Sequence, residues 1–352
     1  MLSDAQFREL VSGRWKGIFA GTLRAGLAVL ELPYGWIVRR RNARFDSGAA
    51  KAERVAAPVI SVGNLTVGGT GKSPFVAWLA RWCRERAAAV TIISRGYGSA
   101  VGRPNDEALE LAARLPGVPH LQNADRVAAA GAALAQNPRQ VLILDDAFQH
   151  RRLARDRDIV LLDALEPFGF EHLLPRGLLR EPVESLSRAQ IVALSRSDAV
   201  SWERRREIES IARKLAPEAV WIELAHRPAR FVTAGGKTVG LAELAGRRVA
   251  AFCGIGNPAG FRHSLESCGL EVAAWLELPD HCAYDEREIA RVEGWLAGLA
   301  VEQVVCTRKD LVKIPREEIA GKRLLALEIE VDVVQGREEL ERVLSQVVTE
   351  VA

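Results

Sequence analysis

Short aliphatic runs alternate with helical segments and loops along most of the chain. Strands of a parallel sheet that is covered by helices on both faces have this pattern, because both of their faces are buried. We therefore predict a mostly parallel α/β/α sandwich for the larger, N-terminal part of the chain. The runs predicted as its strands are 58–62, 90–93, 141–144, 159–162, 191–194 and 220–224.

A second, smaller α/β unit is predicted toward the C-terminus. There the alternation of aliphatic runs with helical stretches resumes after an interruption. The runs predicted as its strands are 249–252, 272–275, 304–306 and 324–329.

The interruption has the pattern of a β-hairpin, because two short strand-like segments flank Gly235 and Gly236. We interpret this hairpin as a linker between the two α/β units. The predicted organisation is an N-terminal helical segment at 1–45 that belongs to the first domain, the first α/β domain at 46–228, the hairpin linker at 229–246, the smaller domain at 247–335 and a C-terminal helix at 336–352.

The N-terminal segment 15–41 is apolar and ends in three consecutive arginines. Arg24 and Glu31 interrupt it, so it is too charged for a membrane-spanning helix. Tryptophans near both ends and the terminal arginines favour an amphipathic helix that lies on an anionic membrane surface. Packing against the protein's own core is the alternative interpretation. The stripe predicted along one face consists of Phe19, Leu23, Leu27, Leu30 and Tyr34.

Composition excludes several classes of protein. The chain has 352 residues, 48% of them hydrophobic, which is enough for two folded domains. Its net charge of +3 is too small to indicate nucleic-acid binding. The five cysteines are scattered and include no C-x-x-C pair, which indicates a reducing compartment and no structural zinc. No feature predicts an obligate protein partner.

A glycine-rich loop follows the first predicted strand and precedes a helical segment at 75–82. Such a loop turns successive backbone N–H groups toward a phosphate, and the helix N-terminus adds its dipole. Thr66 stands where the G-x-x-x-x-G-K-[ST] pattern has its first glycine, so the loop is a variant P-loop. We expect Lys72 to reach the β- and γ-phosphates of ATP and Ser73 to bind Mg²⁺. The predicted nucleotide-binding residues are Gly68, Gly69, Thr70, Gly71, Lys72 and Ser73.

Two carboxylates, Asp145 and Asp146, end the apolar run at 141–144. This is the form of a Walker B segment, in which an acid holds Mg²⁺ directly or through water. The sequence leaves open which of the two touches the metal. Gln149 and His150 follow, at the carboxyl edge of the sheet where ligands bind in open α/β folds. ATP and Mg²⁺ are the predicted cofactors of a P-loop NTPase-like domain.

Other polar groups near the same edge allow more than one interpretation. Asp106 and Glu107 are either solvated loop acids or functional groups. In the functional interpretation, one of the two is the base for a hydroxyl that attacks the γ-phosphate. Glu107 is also a candidate Mg²⁺ ligand. Arg176 and Arg180 are either surface charges or anion-binding groups. Three function classes are compatible with these residues: a lipid kinase, a membrane-associated P-loop switch or partitioning ATPase, and a soluble small-molecule kinase.

Six segments together resemble, in order, the tetraacyldisaccharide 4′-kinases of lipid A synthesis. The resemblance implies transfer of the ATP γ-phosphate to the 4′-hydroxyl of a tetraacyldisaccharide 1-phosphate, which forms lipid IVA. It also implies an acylated disaccharide lipid as partner and a peripheral location at the cytoplasmic face of a bacterial inner membrane. The segments are 63–74, 94–98, 105–107, 144–153, 174–182 and 278–281.

The resemblance also implies roles for single residues. Asp106 is expected to be the general base and His281 its partner, with Lys72 and Asp146 as further catalytic groups. Because His281 lies in the predicted second domain and Asp106 in the first, we expect the domains to close over ATP during turnover. The residues expected to contact substrate are Asn64, Arg95, Gln149, His150, Arg176 and Arg180.

Overall fold

The computed structural model describes residues 4–86, 88–96, 105–280 and 282–349. The chain divides into two compact units. The first unit consists of Met1–Arg95, Val118–Ala225 and Asp332–Ala352, and the second of Gly96–Gly117 and His226–Val331.

The strands and helices have the following bounds. The strands are β1 (Val59–Asn64), β2 (Val90–Ser94), β3 (His120–Gln122), β4 (Val141–Asp145), β5 (Arg157–Asp163), β6 (Ile191–Ser195), β7 (Val220–Val232), β8 (Thr238–Val239), β9 (Arg248–Cys253), β10 (Glu271–Glu277), β11 (Gln303–Thr307), β12 (Glu318–Ile319) and β13 (Lys322–Gln335). The helices are α1 (Asp4–Val11), α2 (Ile18–Asp46), α3 (Lys72–Glu85), α4 (Asp106–Arg114), α5 (Arg126–Gln136), α6 (Trp202–Leu215), α7 (Leu241–Leu244), α8 (Pro258–Ser267), α9 (Glu286–Leu296), α10 (Arg308–Leu311) and α11 (Arg337–Val348).

The first unit is built on a parallel sheet in the order β7-β6-β5-β1-β4-β2-β3. Every residue of β1, β2, β4 and β6 is buried, as expected for strands that are covered on both faces. The α/β fold class predicted from the aliphatic runs is therefore confirmed. Because β1 pairs with both β4 and β5, the ends of β1 and β4 lie together at the carboxyl edge of the sheet.

Strand β3 was not predicted. It has only three residues, all of them half-buried, and it contains His120 and Gln122, so it lacks an aliphatic run. It pairs with β2 from Ile92 to Ser94 at the edge of the sheet. A strand of this kind is stabilised by its neighbour and not by its own composition.

The second unit has its own parallel strands in the order β10-β9-β11-β13, with the short strand β12 antiparallel to β13. The hairpin predicted around Gly235 and Gly236 is present, because Phe231 pairs with Val239 and Val232 with Thr238. These residues belong to the compact second unit.

Helix α4 also belongs to the second unit, whereas the sequence assigned its residues to the first domain. The reason is a set of long-range contacts. Arg308 at the start of α10 donates a hydrogen bond to the Ala113 carbonyl, and Arg114 donates to the Ile329 carbonyl of β13. Arg114 also forms an ion pair with Glu110 one turn before it. Helical periodicity shows that α4 exists but carries no information about its neighbours.

Helix α2 packs on the first unit through one side. Its polar residues reach the 172–181 segment: Glu31 accepts from the Leu173 amide, and the Tyr34 hydroxyl donates to the Arg180 carbonyl. The residues of the predicted apolar stripe differ in exposure. Leu23, Leu27 and Tyr34 are half-buried, whereas Phe19 and Leu30 are exposed. Among the helices that the structure describes, none has the length and apolarity needed to cross a bilayer.

Candidate active site

The glycine-rich loop connects β1 to the N-terminus of α3. Gly71 caps the helix in the left-handed conformation (φ 81°), and Lys72 and Ser73 are the first helical residues. Gly68 also has a positive φ, of 110°, which a residue with a side chain adopts at a cost. Thr70 is buried, and its Oγ1 has no hydrogen-bond partner among the described residues. The loop therefore presents a helix N-terminus and a hydroxyl without a partner among the described residues, as suits an anion site.

Lys72 is held between two acceptors at the carboxyl edge of the sheet. Its Nζ lies 3.2 Å from Oδ1 of Asn64, at the end of β1, and 3.5 Å from Oδ1 of Asp146, just after β4. The Lys72 side chain is 11% exposed, so the surrounding protein leaves it few other rotamers. The predicted phosphate-binding lysine and the predicted Walker B acid therefore occupy one site.

Asp146 carries its charge in this site. The residue has a left-handed backbone (φ 52°), and Nη1 of Arg180 lies 3.0 Å from its Oδ1 and 2.9 Å from its Oδ2. Burial raises the pKa of Asp146, but Lys72 and Arg180 together outweigh burial and hold that pKa well below its usual range. Asp146 is therefore a carboxylate at neutral pH.

Arg180 lies in the same cluster as Lys72 and Asp146, beside the glycine-rich loop. The segment that carries it pairs with the glycine-rich loop: the Arg180 amide donates to the Leu65 carbonyl (2.7 Å) and the Val67 amide to the Leu178 carbonyl (2.8 Å). Its Nη2 lies 2.8 Å from Oδ1 of Asn64. Arg176, from the same motif, donates instead to the Val11 carbonyl of α1.

The turn after β4 places Gln149 at the same site. Its Nε2 donates to the Asn64 carbonyl (2.9 Å), and its Oε1 accepts from Arg180 (3.3 Å). The turn can approach β1 only because residue 63 is glycine. A Cβ there would lie 2.6 Å from Cβ of Phe148.

His150 is half-buried beside this turn and stays neutral at physiological pH. Burial, reinforced by the guanidinium groups of Arg126, Arg155 and Arg152, lowers the pKa of His150 to about 4. Its Nε2 has no hydrogen-bond partner in the described part of the chain. His150 is therefore available as a neutral hydrogen-bonding group.

Two arginines near the carboxyl edge were missed from the sequence. Arg126, the first residue of α5, is 3% exposed, and the charges of Asp146 and Asp145 act on it. Arg196, just after β6, forms an ion pair with Asp163 and donates to the Gly69 carbonyl in the phosphate loop. Arg126 follows the unpredicted strand β3, and recognising that strand would have placed it at this edge.

Asp106 and Glu107 form the first turn of α4 and do not lie in a loop. The side chain of Asn105 caps this helix by accepting from the Ala108 amide (3.0 Å). Oδ2 of Asp106 lies 3.1 Å from Nζ of Lys313, in the same unit. His281 lies outside the described residues. Asp106 belongs to the second unit, whereas the sequence prediction placed it in the first domain.

The residues present fit ATP and Mg²⁺. The loop amides, the partnerless hydroxyl of Thr70 and the ammonium of Lys72 suit phosphate oxygens, whereas Ser73 and the two aspartates supply hard oxygen ligands. Among the described residues, no three His, Cys, Asp or Glu side chains converge as a metal site. Mg²⁺ takes one or two carboxylates and completes its coordination with phosphates and water, so Ser73 and the two aspartates suffice as its protein ligands. Arg95 is exposed at the end of β2.

Comparison with known proteins gives one consistent result. A family model described as tetraacyldisaccharide-1-P 4′-kinase matches residues 23–349. The tetraacyldisaccharide 4′-kinase of Anaeromyxobacter dehalogenans (strain 2CP-C) is 38% identical over 94% of this chain and 91% of its own length. That of Pelobacter propionicus is 36% identical over 91% and 92%. A crystal structure of the "apo" form of LpxK from Aquifex aeolicus in complex with ATP has a TM-score of 0.75 and 28% identity, over 93% of this chain and 99% of that one.

Proposed function

The chain belongs to the tetraacyldisaccharide-1-P 4′-kinase family, and we propose that it transfers the γ-phosphate of ATP to the 4′-hydroxyl of a tetraacyldisaccharide 1-phosphate, forming lipid IVA in lipid A biosynthesis. The observation that carries the proposal is the cluster of Lys72, Arg180, Asp146 and Asn64 at the N-terminus of α3. Two cations and a carboxylate at a phosphate loop suit phosphoryl transfer, which depends on positioning and on stabilisation of charge.

Residues of the first unit hold the nucleotide in this proposal. The amides of residues 68–73 bind the phosphates, and Lys72 and Arg180 offset the charge that spreads over the transferred group. Ser73 and the aspartates at 145 and 146 hold Mg²⁺, which neutralises phosphate charge when bound. When ATP binds, Arg180 exchanges some of its hydrogen bonds to Asp146 for hydrogen bonds to phosphate oxygens.

Asp106 of the second unit is the proposed general base. It takes the proton of the 4′-hydroxyl as that oxygen bonds to the γ-phosphorus and ADP leaves. His281 is proposed as its partner, and Glu107 as a further Mg²⁺ ligand.

Helix α2 is proposed to rest on the cytoplasmic face of the inner membrane. Its outward side exposes large apolar side chains, with Ile18 91% and Leu32 72% exposed, and Arg40 lies over the Trp36 ring. Apolar side chains with arginines at one end suit the boundary between acyl chains and anionic headgroups. This arrangement supports a peripheral location, because an acceptor with four acyl chains stays in the bilayer.

A groove beside α2 is proposed to take part of the acceptor. It has a volume of about 280 Å³ and an apolar wall that includes Phe168, Leu173 and Leu179, with Glu31 and Arg39 also lining it. Leu179 immediately precedes Arg180, so an acyl chain in this groove lies next to the segment that builds the phosphate site. The groove therefore supports the proposal that the acceptor binds near the segment that carries Arg180.

A P-loop switch or partitioning ATPase is the alternative function. The phosphate loop and the Walker B segment suit it equally, but the family match over residues 23–349 favours the kinase. The experiment that separates them incubates the protein with Mg²⁺, γ-labelled ATP and tetraacyldisaccharide 1-phosphate in micelles. We expect acceptor-dependent label in a bisphosphorylated lipid. Label released only as inorganic phosphate would contradict the kinase function and support the switch.

A further inference from the structure

Lys313 connects the proposed base to a second part of the same unit. Its Nζ lies 3.1 Å from Oδ2 of Asp106 and 2.7 Å from the carbonyl oxygen of Cys282. The side chain is only 7% exposed, and the ammonium also lies 5.3 Å from the centroid of the Tyr284 ring. An ammonium has three donors, so it can serve the carboxylate and the carbonyl at once while it remains over the ring face.

The partners of Lys313 are themselves held in place. The Tyr284 hydroxyl donates to Oδ1 of Asp310 (2.8 Å), and the Gly254 amide donates to the same oxygen (3.1 Å). Asp310 is fully buried, and Thr307 donates to its other oxygen. A buried network whose members are paired is rigid, so the loop at 282–284 is a fixed support.

The loop that carries Cys282 also packs closely against Gly254, the residue after β9. A Cβ at Gly254 would lie 3.0 Å from Cβ of Cys282 and 3.0 Å from the Pro279 carbonyl. The loop therefore lies directly against the end of β9. Lys313 joins this loop to the first turn of α4, because its ammonium contacts both the Cys282 carbonyl and Asp106.

We propose that Lys313 is a positioning residue for Asp106. By joining Oδ2 of Asp106 to the Cys282 carbonyl, it fixes the orientation of the carboxylate that accepts the hydroxyl proton. The inference rests on the proposed kinase function and on Asp106 as its base. The ion pair bears on the rate because misplacing a catalytic group by about 1 Å costs about 10²-fold.

The test compares Lys313→Met, Lys313→Arg, Asp106→Asn and the double variant Lys313→Met/Asp106→Asn in the label-transfer assay. We expect Lys313→Met to lower kcat about 10²-fold with KM for ATP within about twofold of wild type. Lys313→Arg keeps the charge and its donors and should recover most of that loss. The double variant should be no slower than Asp106→Asn alone, because both changes remove the same interaction.

Lys322→Met is the matched control. Lys322 is half-buried in the same unit and donates to the carbonyls of Leu299 and Val301. Its replacement removes a comparable ammonium but leaves Asp106 in place, so kcat should stay near wild type even if the unfolding midpoint falls. Thermal unfolding of every variant identifies those that do not fold. If Lys313→Met does not fold, the milder Lys313→Gln takes its place.

The outcomes separate the inference from the proposed function. Wild-type protein that labels no lipid overturns the kinase function itself. An active wild type with Lys313→Met at more than half the wild-type kcat overturns the inference alone. The inference is also overturned if the loss of kcat in Lys313→Met/Asp106→Asn equals the product of the losses in the two single variants.

Discussion

Arg180 joins parts of the phosphate site that lie far apart in the sequence. Its guanidinium contacts Asn64 at the end of β1 and Asp146 just after β4, and its Nε donates to the Thr66 carbonyl in the loop itself. The planar fork of an arginine can reach all three at once, which the single ammonium of a lysine cannot do. Arg180 therefore links β1, the glycine-rich loop and the turn after β4, as well as contributing charge.

Replacing Arg180 should affect chemistry more than folding. In Arg180→Gln, Asp146 keeps Lys72 as a partner and the backbone pairing at 178–180 persists, so the free energy of unfolding should change little. We expect kcat to fall by about 10²- to 10³-fold, the cost of removing one transition-state donor, with Arg180→Lys intermediate. Initial rates of label transfer measure this. Arg204→Gln, which breaks an exposed pair with Glu207, is the control. A wild-type kcat in Arg180→Gln would contradict the assignment.

Stability should fall in mildly acidic solution because of His120. Burial lowers the pKa of this histidine from 6.5 to about 4, so the folded state resists protonation while the unfolded chain accepts it. The contribution of the neutral ring is complete above pH 6.5 and is lost progressively as the pH falls toward 4. Urea unfolding at pH 7 and pH 5 tests this. His120→Gln should reduce the difference between the two midpoints, and an unchanged difference would exclude His120 as its source.

Helix α2 has two functions at the scale of secondary structure. On its inner side, Arg41 pairs with Glu181, which is fully buried and also pairs with Arg188. On its outer side, apolar side chains are exposed. Deleting the residues before Ala43 would remove both sides together and leave the buried charge of Glu181 with one partner fewer, which destabilises. Truncation therefore cannot separate anchoring from folding.

Substitutions on the outer side of α2 can separate them. Leu32→Glu/Ile37→Glu replaces two exposed apolar residues with good helix formers, so the unfolding midpoint should stay within error of wild type. Sedimentation with anionic vesicles should fall at least tenfold, because each apolar side chain contributes about 1.5–3 kcal/mol when it is buried. Val334→Glu, another exposed apolar site in the first unit, is the control. Undiminished sedimentation of the double variant would contradict membrane docking through α2.

At the scale of the whole molecule, the chain leaves and re-enters the first unit twice. It departs after β2 to build α4 in the second unit, and it passes between units again within β7 and within β13. The base-bearing helix is therefore part of the unit that supplies Lys313, although about 200 residues separate them along the chain. Neither unit corresponds to one continuous segment.

Ligand binding should stabilise the intact protein through the first unit. ATP with Mg²⁺ at 100 times its Kd should raise the free energy of unfolding by about 2.7 kcal/mol. Lys72→Met should lose most of this gain, and chelation of Mg²⁺ with EDTA should reduce it in wild type. Thermal unfolding with and without nucleotide measures the shift. Equal shifts in wild type and Lys72→Met would remove Lys72 from the nucleotide site.

Much of the fold and part of the site could be predicted from the sequence, because some signals are local. The aliphatic runs predicted β1, β2, β4, β5 and β6 since buried parallel strands are apolar throughout. The glycine-rich loop and the two aspartates could be recognised from the sequence, because each directly follows a predicted strand in a known motif. Helix α11, observed at Arg337–Val348, lies within the C-terminal helix predicted at 336–352. Each of these features is encoded within a few neighbouring residues.

Only the tertiary structure decided which side chains meet. The approach of Arg180 to Asp146, the burial of Arg126 beside the carboxyl edge and the assignment of α4 to the second unit all depend on contacts between distant segments. Propensity and periodicity determine whether an element forms and which of its faces is apolar, but they do not specify its neighbour. The sequence by itself determined a nucleotide-binding α/β chain, and long-range packing decided that Lys313 holds the proposed base.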